Sequence, residues 1–303
     1  MAKLYGALVV LSLIWGTSFL FIKILLESLE PATVVFGRCL FGVLFLAVVI
    51  LVKRENFLPE KKLVGKIIIV AILNNVLPWL FISLSETQIS TSLASIINAT
   101  TPIWTLMIGF FLFSSTLSKN QWAGIGIGFI GIFILSDIRP GELIAGNTMG
   151  IFLMSAAAFC YGTGTHLTKK YLTGLSVSQI SFFTLAASSI LSFLGALWME
   201  PASVASVFEA KTFLPLLGVG TFGSGVAYLL YYFLVKEGGP EFASLVTYLV
   251  PVSAILWGAL LLQEKINLMM ILGLIIILLG VFITSRKDGK ENTQLEIKMK
   301  RSI

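Results

Sequence analysis

Apolar residues run in long stretches along this chain, and charged residues cluster in the short gaps between them. Read between charges, glycines and prolines, the runs number ten, at roughly 4–26, 33–53, 63–84, 89–113, 119–136, 148–171, 177–199, 212–235, 240–263 and 267–285. A bilayer hydrocarbon core takes about 20 apolar residues per helix. In lipid every backbone polar group needs a partner, which a helix supplies from within itself. The pattern therefore predicts an all-α integral membrane protein with ten transmembrane helices. The gaps are short, so consecutive helices are expected to be neighbours, with no room for a water-soluble domain between them. The first run, behind Lys3, lacks a small-residue cleavage site and is read as a retained helix, not a signal peptide. Residues 291–303 are rich in charge and are expected to form a disordered cytoplasmic tail.

Composition points to the same solvent. Of 303 residues, 57% are hydrophobic and 12% charged, with mean hydropathy +0.96. A soluble domain carries about 25% charged residues, so this chain cannot cover a watery surface with charge. The net charge of +6 is no nucleic-acid signature, because the basic residues sit in the gaps and at the C-terminus. Counting Lys and Arg gap by gap puts sixteen on the side that holds both termini and three, Arg139, Lys211 and Lys265, on the other. That bias predicts a plasma-membrane protein with both termini in the cytoplasm. Cys39 and Cys160 both fall inside apolar runs and offer neither a disulfide framework nor metal-ligand spacing. The match Asn98-Ala99-Thr100 also lies inside a run, so it is not read as a glycosylation site.

The runs repeat. Adding 149 carries Ala94-Ser95 onto Ala243-Ser244, Pro102 onto Pro251, Gly124 onto Gly273, Gly131 onto Gly280 and Ser136 onto Ser285. Nearer the N-terminus the offset is 146: Trp15-Gly16-Thr17 lands on Tyr161-Gly162-Thr163, and Lys23 on Lys169. The expected halves are 1–140 and 147–290, five helices each. Five is odd, so the second half enters the membrane inverted. Inverted repeats with a site near the midplane mark secondary transporters, because two inverted halves can exchange conformations of similar energy.

Polar residues within the runs are the candidate site. Arg38 lies some five residues inside the second run, roughly 8 Å down a helix at 1.5 Å per residue. A guanidinium there is costly and faces a cavity or a partner; its planar fork suits a carboxylate. Snorkelling to headgroups, or pairing with Glu27 or Glu30, is the other reading. Lys23 is shallower, and snorkelling or an i,i+4 pair with Glu27 is expected. Pro102 and Pro251 occupy matched places and each removes a backbone donor, so they are candidate hinges. Asn98, Thr100 and Thr101 precede one, and Thr247 and Tyr248 the other; Asn98, Thr101, Thr247 and Tyr248 are candidate ligands, with kinks satisfied by the helix's own threonines as the alternative. Asn74-Asn75, with Gly223-Ser224 as register mate, reads equally as a polar cavity wall or as interhelical hydrogen bonding. Trp15 and Tyr161 hold matched positions and either could cap a site. Tyr228, Tyr231 and Tyr232 offer stacking surface, although Tyr232 suits an interfacial belt better than Tyr228 does. His166, the only histidine, reads as a satisfied interfacial residue more readily than as a proton relay. Glu264 suits the dipole at the start of the last helix.

Absences narrow the function. Glu27, Glu30, Glu86, Asp137, Glu200 and Glu264 all fall near the ends of runs, so no carboxylate is expected deep in the membrane. That argues against an exporter of drug cations that relies on a buried acid, and Lys23 and Arg38 favour an acidic substrate instead. No phosphate-binding glycine loop, metal cluster or nucleophile with an aligned base is present in the sequence. A non-enzymatic protein is expected, without ATP-driven transport, cofactor or metal.

Trp15-Gly16-Thr17-Ser18-Phe19, followed by Lys23, Pro31 and Arg38, resembles the opening of the EamA family of the drug/metabolite transporter superfamily. Ala243-Ser244, Pro251 and Gln263-Glu264-Lys265 resemble its ninth helix and the Gly-Glu step before the tenth. The likeness covers nearly the whole chain. It departs at Ser114-Ser115, where the family has Gly-Glu, at Gln263 for Gly, and at Tyr161 for Trp. The resemblance implies a ten-helix, two-repeat carrier that exports metabolites, often amino acids. Joined to the Arg38 argument, the expectation is a secondary transporter of small carboxylated metabolites working by alternating access. Its partners would be a small-molecule substrate and the lipid bilayer. An exporter of drugs or of sugar-like or nucleoside metabolites is the alternative; a non-transporting protein or membrane enzyme ranks lower. Oligomeric state stays open, with a monomer among the options.

Overall fold

A computed structural model describes residues 2–89, 91–136, 148–261 and 268–285. These residues form helices joined by short turns, with no strand among them. In chain order they are α1 (Ala2–Leu25), α2 (Pro31–Lys53), α3 (Lys61–Ala71), α4 (Leu77–Glu86), α5 (Thr91–Asn98), α6 (Thr101–Phe113), α7 (Lys119–Ser136), α8 (Thr148–Tyr171), α9 (Val177–Met199), α10 (Pro201–Val204), α11 (Ala210–Gly220), α12 (Ala227–Gly238), α13 (Pro240–Ser244), α14 (Val246–Leu261) and α15 (Leu268–Ser285). Two π-helical segments, Ile72–Val76 and Thr221–Val226, join α3 to α4 and α11 to α12 without a break in the rod.

Among the described residues, five stretches are long and apolar enough to cross a membrane: Ala2–Leu25, Pro31–Lys53, Lys61–Glu86, Val177–Met199 and Ala210–Gly238. Shorter apolar helices, Thr101–Phe113 and Ile271–Gly280, accompany them. The outward faces are apolar: Trp198 is 85% exposed, Val52 77% and Phe111 71%. In water such a surface would aggregate; in lipid it is the expected exterior. The protein is a membrane protein of packed helices.

Where an expected run is not one straight helix, local chemistry explains the difference. The run expected at 89–113 breaks at Ala99-Thr100, and Thr100 and Thr101 turn their hydroxyls back onto the Ile97 and Asn98 carbonyls. Pro102 thus stands in the first turn of a new helix, where its missing N–H costs nothing, instead of inside a continuous one. In the matched run the break falls at Leu245, and Pro251 remains inside α14. The two hinge candidates are therefore placed differently. Gln263-Glu264-Lys265, Asp137, Arg139 and the tail lie outside the described residues.

Packing is close and reciprocal. α1 packs on α14 and α6 on α8; α4 lies against α8 and α12 against α1; α2 crosses α9, and α7 crosses α15. Gly16 allows the first contact: a Cβ there would sit 2.0 Å from Ser253 Oγ and 3.0 Å from the Ala254 nitrogen. Gly162 does the same for the second, 2.9 Å from the Thr105 nitrogen. Small residues let helix backbones approach where lipid provides no hydrophobic drive. Buried hydroxyls along α9 are satisfied within the helix: Ser181, Thr184, Ser188 and Ser192 each donate to the carbonyl four residues back.

Candidate functional site

A cavity lies between α1, α2, α4, the α5–α6 break, α8, α12 and the α13–α14 break, between helices of a bundle, where small-molecule sites commonly form. Trp15, Arg38, Asn98, Thr101, Tyr161 and Thr247, singled out from the sequence, line it together. Asn74, Asn75, Tyr228 and Tyr248 do not; they are fully buried behind it. Pro102 and Pro251 are also away from the lining, although both helix breaks contribute to it.

Arg38 is the one charged side chain on the wall. It is 3% exposed, so it neither snorkels nor pairs with Glu27 or Glu30. Its Nε donates to Ser224 Oγ at 3.2 Å and its Nη2 to the Gly223 carbonyl at 3.4 Å, both in the second π segment. The guanidinium carbon lies 3.7 Å from the centre of the Trp79 ring, a desolvated cation–π contact of about 2 kcal/mol or more. Carbonyl, hydroxyl and ring hold the group in place without neutralising it. Among the described residues no carboxylate is paired with it.

Aromatic rings form the rest of the wall. Trp15 packs against Tyr231 with ring centres 5.5 Å apart, and its Nε1 donates to the Gly223 carbonyl at 3.2 Å. Tyr231 also shares a hydrogen bond with Thr165. Asn98, 4% exposed, carries an amide oxygen with no partner, a free acceptor on the wall. The wall thus offers one fixed cation, one free amide acceptor and aromatic faces. The sequence reading missed Trp79, Ser18, Thr165 and Ser244 on this wall. A lone tryptophan in an apolar run, as Trp79 is, reads as lipid-facing or core.

Behind the wall the two π segments are pinned. Tyr228 OH donates to the Asn74 carbonyl at 2.7 Å, Asn74 Nδ2 to Thr168 Oγ1 at 3.0 Å, and Asn75 Nδ2 to Ser188 Oγ at 2.8 Å. A π turn strands a backbone carbonyl, and the Tyr228 hydroxyl reaches one. Asn74 and Asn75 thus make the interhelical bonds that were the second of their two readings. Tyr248 is fully buried and its hydroxyl has no partner.

Two expectations are corrected. Lys23 does not pair with Glu27: its Nζ donates to the Glu86 backbone carbonyl at 2.7 Å, tying α1 to α4. Tyr232 is not in an interfacial belt; it is fully buried, with its hydroxyl donating to Thr184 Oγ1 at 3.2 Å. Glu86 does stand at a helix end, as expected, and there it is fully buried. His166, also buried, donates from Nε2 to the Thr105 carbonyl at 2.8 Å and stacks on Phe113. That is a structural arrangement across α6 and α8.

Comparison with known proteins places this geometry. The model of the EamA-like transporter family matches the chain twice, over residues 3–137 and 148–286. The chain belongs to the EamA-like transporter family. Its EamA relatives include the uncharacterized inner membrane transporter YedA of Escherichia coli K12, 26% identical over 93% of this chain and 90% of that protein. An uncharacterized transporter of Archaeoglobus fulgidus is 28% identical over 90% of this chain and 95% of its own length. A probable amino-acid metabolite efflux pump of E. coli K12 is 25% identical over 93% and 95%. A solved crystal structure shares the fold at TM-score 0.76 and 16% identity, over 94% of this chain and 97% of the other. The chain is thus a membrane transporter of the drug/metabolite type.

Proposed function

We propose that the cavity carries small carboxylated metabolites, amino acids foremost, out of the cell by alternating access between two inverted five-helix halves, about 1–140 and 147–290, with both termini in the cytoplasm. The observation that carries the substrate class is Arg38: a buried guanidinium on a cavity wall, fixed by Trp79 and Ser224 yet without an anionic partner among the described residues. Such a group costs about 2.5–3.5 kcal/mol in a membrane helix, and binding a substrate carboxylate is a use that offsets the cost. The similarity to a protein named as a probable amino-acid metabolite efflux pump agrees.

Reciprocal packing supports the inverted halves. The offset of 146 turns Gly16 into Gly162, and 149 turns Trp104-Thr105 into Ser253-Ala254. Gly16 meets Ser253 and Ala254, while Gly162 meets Trp104 and Thr105. The same relation pairs α2 against the second π segment with α9 against the first. A two-fold relation in the membrane plane accounts for this exchange.

The test is flux. Purified protein in liposomes would be offered labelled amino acids, neutral sugars, nucleosides and lipophilic cations. Movement of carboxylated compounds, lost in Arg38→Ala, is the expected result. Movement of neutral or cationic compounds alone would overturn the substrate class, and the aromatic wall then favours a flat, uncharged body.

A further inference from the structure

Glu86 closes α4 and is fully buried. Neither carboxyl oxygen has a well-formed hydrogen bond, with only the uncharged Thr91 hydroxyl acting on it as a weak donor, and no described Lys, Arg or His forms an ion pair with it. Its position relative to the cavity is definite. Trp79 and Ile82 line the wall, and Glu86 follows them on the same helical face, four residues beyond Ile82. On α1, Ile22 lines the wall and Lys23, next to it, holds the Glu86 backbone carbonyl. Just before Glu86, Ser85 donates to the Gly150 carbonyl at 2.9 Å and binds α4 to α8. The carboxyl is therefore enclosed among α1, α4 and α8, one helical turn beyond Ile82 of the cavity wall.

Its surroundings are sparse in charge. Lys23 from α1 and Arg38 from α2 act on it electrostatically. Lys23 is exposed and spends its contact on the backbone oxygen; Arg38 spends its own on Ser224, Gly223 and Trp79. From α5 it is faced by the uncharged Thr91, and the start of α8, residues 148–155, holds no titratable side chain. An ionised carboxylate taken from water without a partner is among the most costly groups a protein can bury, and proteins answer by pairing it or by binding a proton. Among the described residues no such pair is made.

We propose that Glu86 is a proton-binding site: its carboxylate takes a proton from water as the α1–α4 end of the cavity closes, and returns it as that end opens. The proposal rests on the carrier reading for its role in transport, but the site itself is testable without a substrate. One O–H bond forms on the carboxyl on closing and breaks on opening, and water is the donor and acceptor. Proton binding and closure are then linked, each favouring the other by the same factor.

The first test is infrared difference spectroscopy on the purified full chain, stepped in pH. The expected result is a protonated-carboxyl C=O band that titrates in the native protein and is lost in Glu86→Gln. A titrating band that survives in Glu86→Gln, or no titrating band at all, overturns the proposal. Should Glu86→Gln fail to assemble, the native protein is treated with dicyclohexylcarbodiimide, which reacts with buried protonated carboxyls. Peptide mapping should find the adduct on Glu86, falling away at alkaline pH; an unmodified Glu86 overturns the site. Amino-acid exchange in liposomes, with equal pH on both sides, reads the link to transport. Its pH dependence should disappear in Glu86→Gln, and a profile the same as that of the native protein overturns the link. If no compound moves in any variant, the carrier reading has failed, and the infrared result alone decides the proton site.

Discussion

The guanidinium of Arg38 lies 3.7 Å from the ring centre of Trp79, so the charge on α2 is held against the face of α4 on the cavity wall. Planarity is what makes this geometry available: a guanidinium stacks and forks, whereas an ammonium does neither. Arg38→Lys keeps the charge and removes the stack and the fork. Affinity for a carboxylated ligand should fall by about 1.5–3 kcal/mol, the worth of a hydrogen bond to a charged group, and Arg38→Ala should lose at least as much. Calorimetric titration of the purified variants checks this; equal affinity in all three proteins would remove Arg38 from the binding site.

Glu200 should prove a stabilising residue although it lies far from the cavity in sequence and space. Its carboxylate accepts from the Ala32 nitrogen at 2.9 Å, the Thr33 nitrogen at 2.7 Å and the Thr33 hydroxyl at 2.9 Å. It thereby caps the start of α2, whose own preceding residue Glu30 makes no side-chain cap. Loss of a cap costs about 0.5–2 kcal/mol. Glu200→Ala should lower the thermal midpoint in detergent and Glu200→Gln should lower it less. An unchanged midpoint for Glu200→Ala would show the cap to be energetically idle.

Two glycines should respond unequally to the same substitution. Gly16→Val drives its side chain into Ser253, whose Oγ donates to the Ser12 carbonyl at 2.6 Å. Overpacking of this kind costs about 1–3 kcal/mol and occasionally more. Gly6→Val, on the same helix with open space around it, should stay within about 0.5 kcal/mol of the parent. Monodispersity and thermal midpoint of the two purified variants decide; similar behaviour would mean that α1 and α14 are not in close contact.

Tyr228→Phe removes the donor that reaches the Asn74 carbonyl in the first π segment. A buried acceptor left unpaired costs about 1–3 kcal/mol. The variant should melt earlier, with its ligand affinity changed far less than in the Arg38 variants, because Tyr228 is not on the cavity wall. A larger loss of affinity than of stability would place the ring at the substrate instead.

Much of the helical pattern was legible because a run of apolar residues is a local property. The expected spans at 119–136, 148–171 and 177–199 coincide with α7, α8 and α9 to the residue. The candidate site was legible only in part. Arg38, Trp15 and Tyr161 stand out in a run by size or charge, and the structure gathers them on one wall. Trp79 is as large as Trp15, but a lone ring in an apolar run reads equally as core or lipid-facing; Thr165 carries no mark, and Asn74 and Asn75, which do, face neighbouring helices. Polarity marks a residue as needing a partner but does not say whether that partner is a helix or a ligand.

The chain alone determined its solvent, its helical class and its family motif, because composition, run length and register are one-dimensional quantities set by lipid thickness and backbone hydrogen bonding. The tertiary structure decided what the charged side chains meet. Lys23 had a carboxylate four residues away in sequence, yet it binds a carbonyl 63 residues away. Glu86 stands at the end of a run, but α1 and α8 wrap that end and leave the carboxyl enclosed. Depth along a helix can be counted from sequence; depth inside a protein depends on which helices pack around that point.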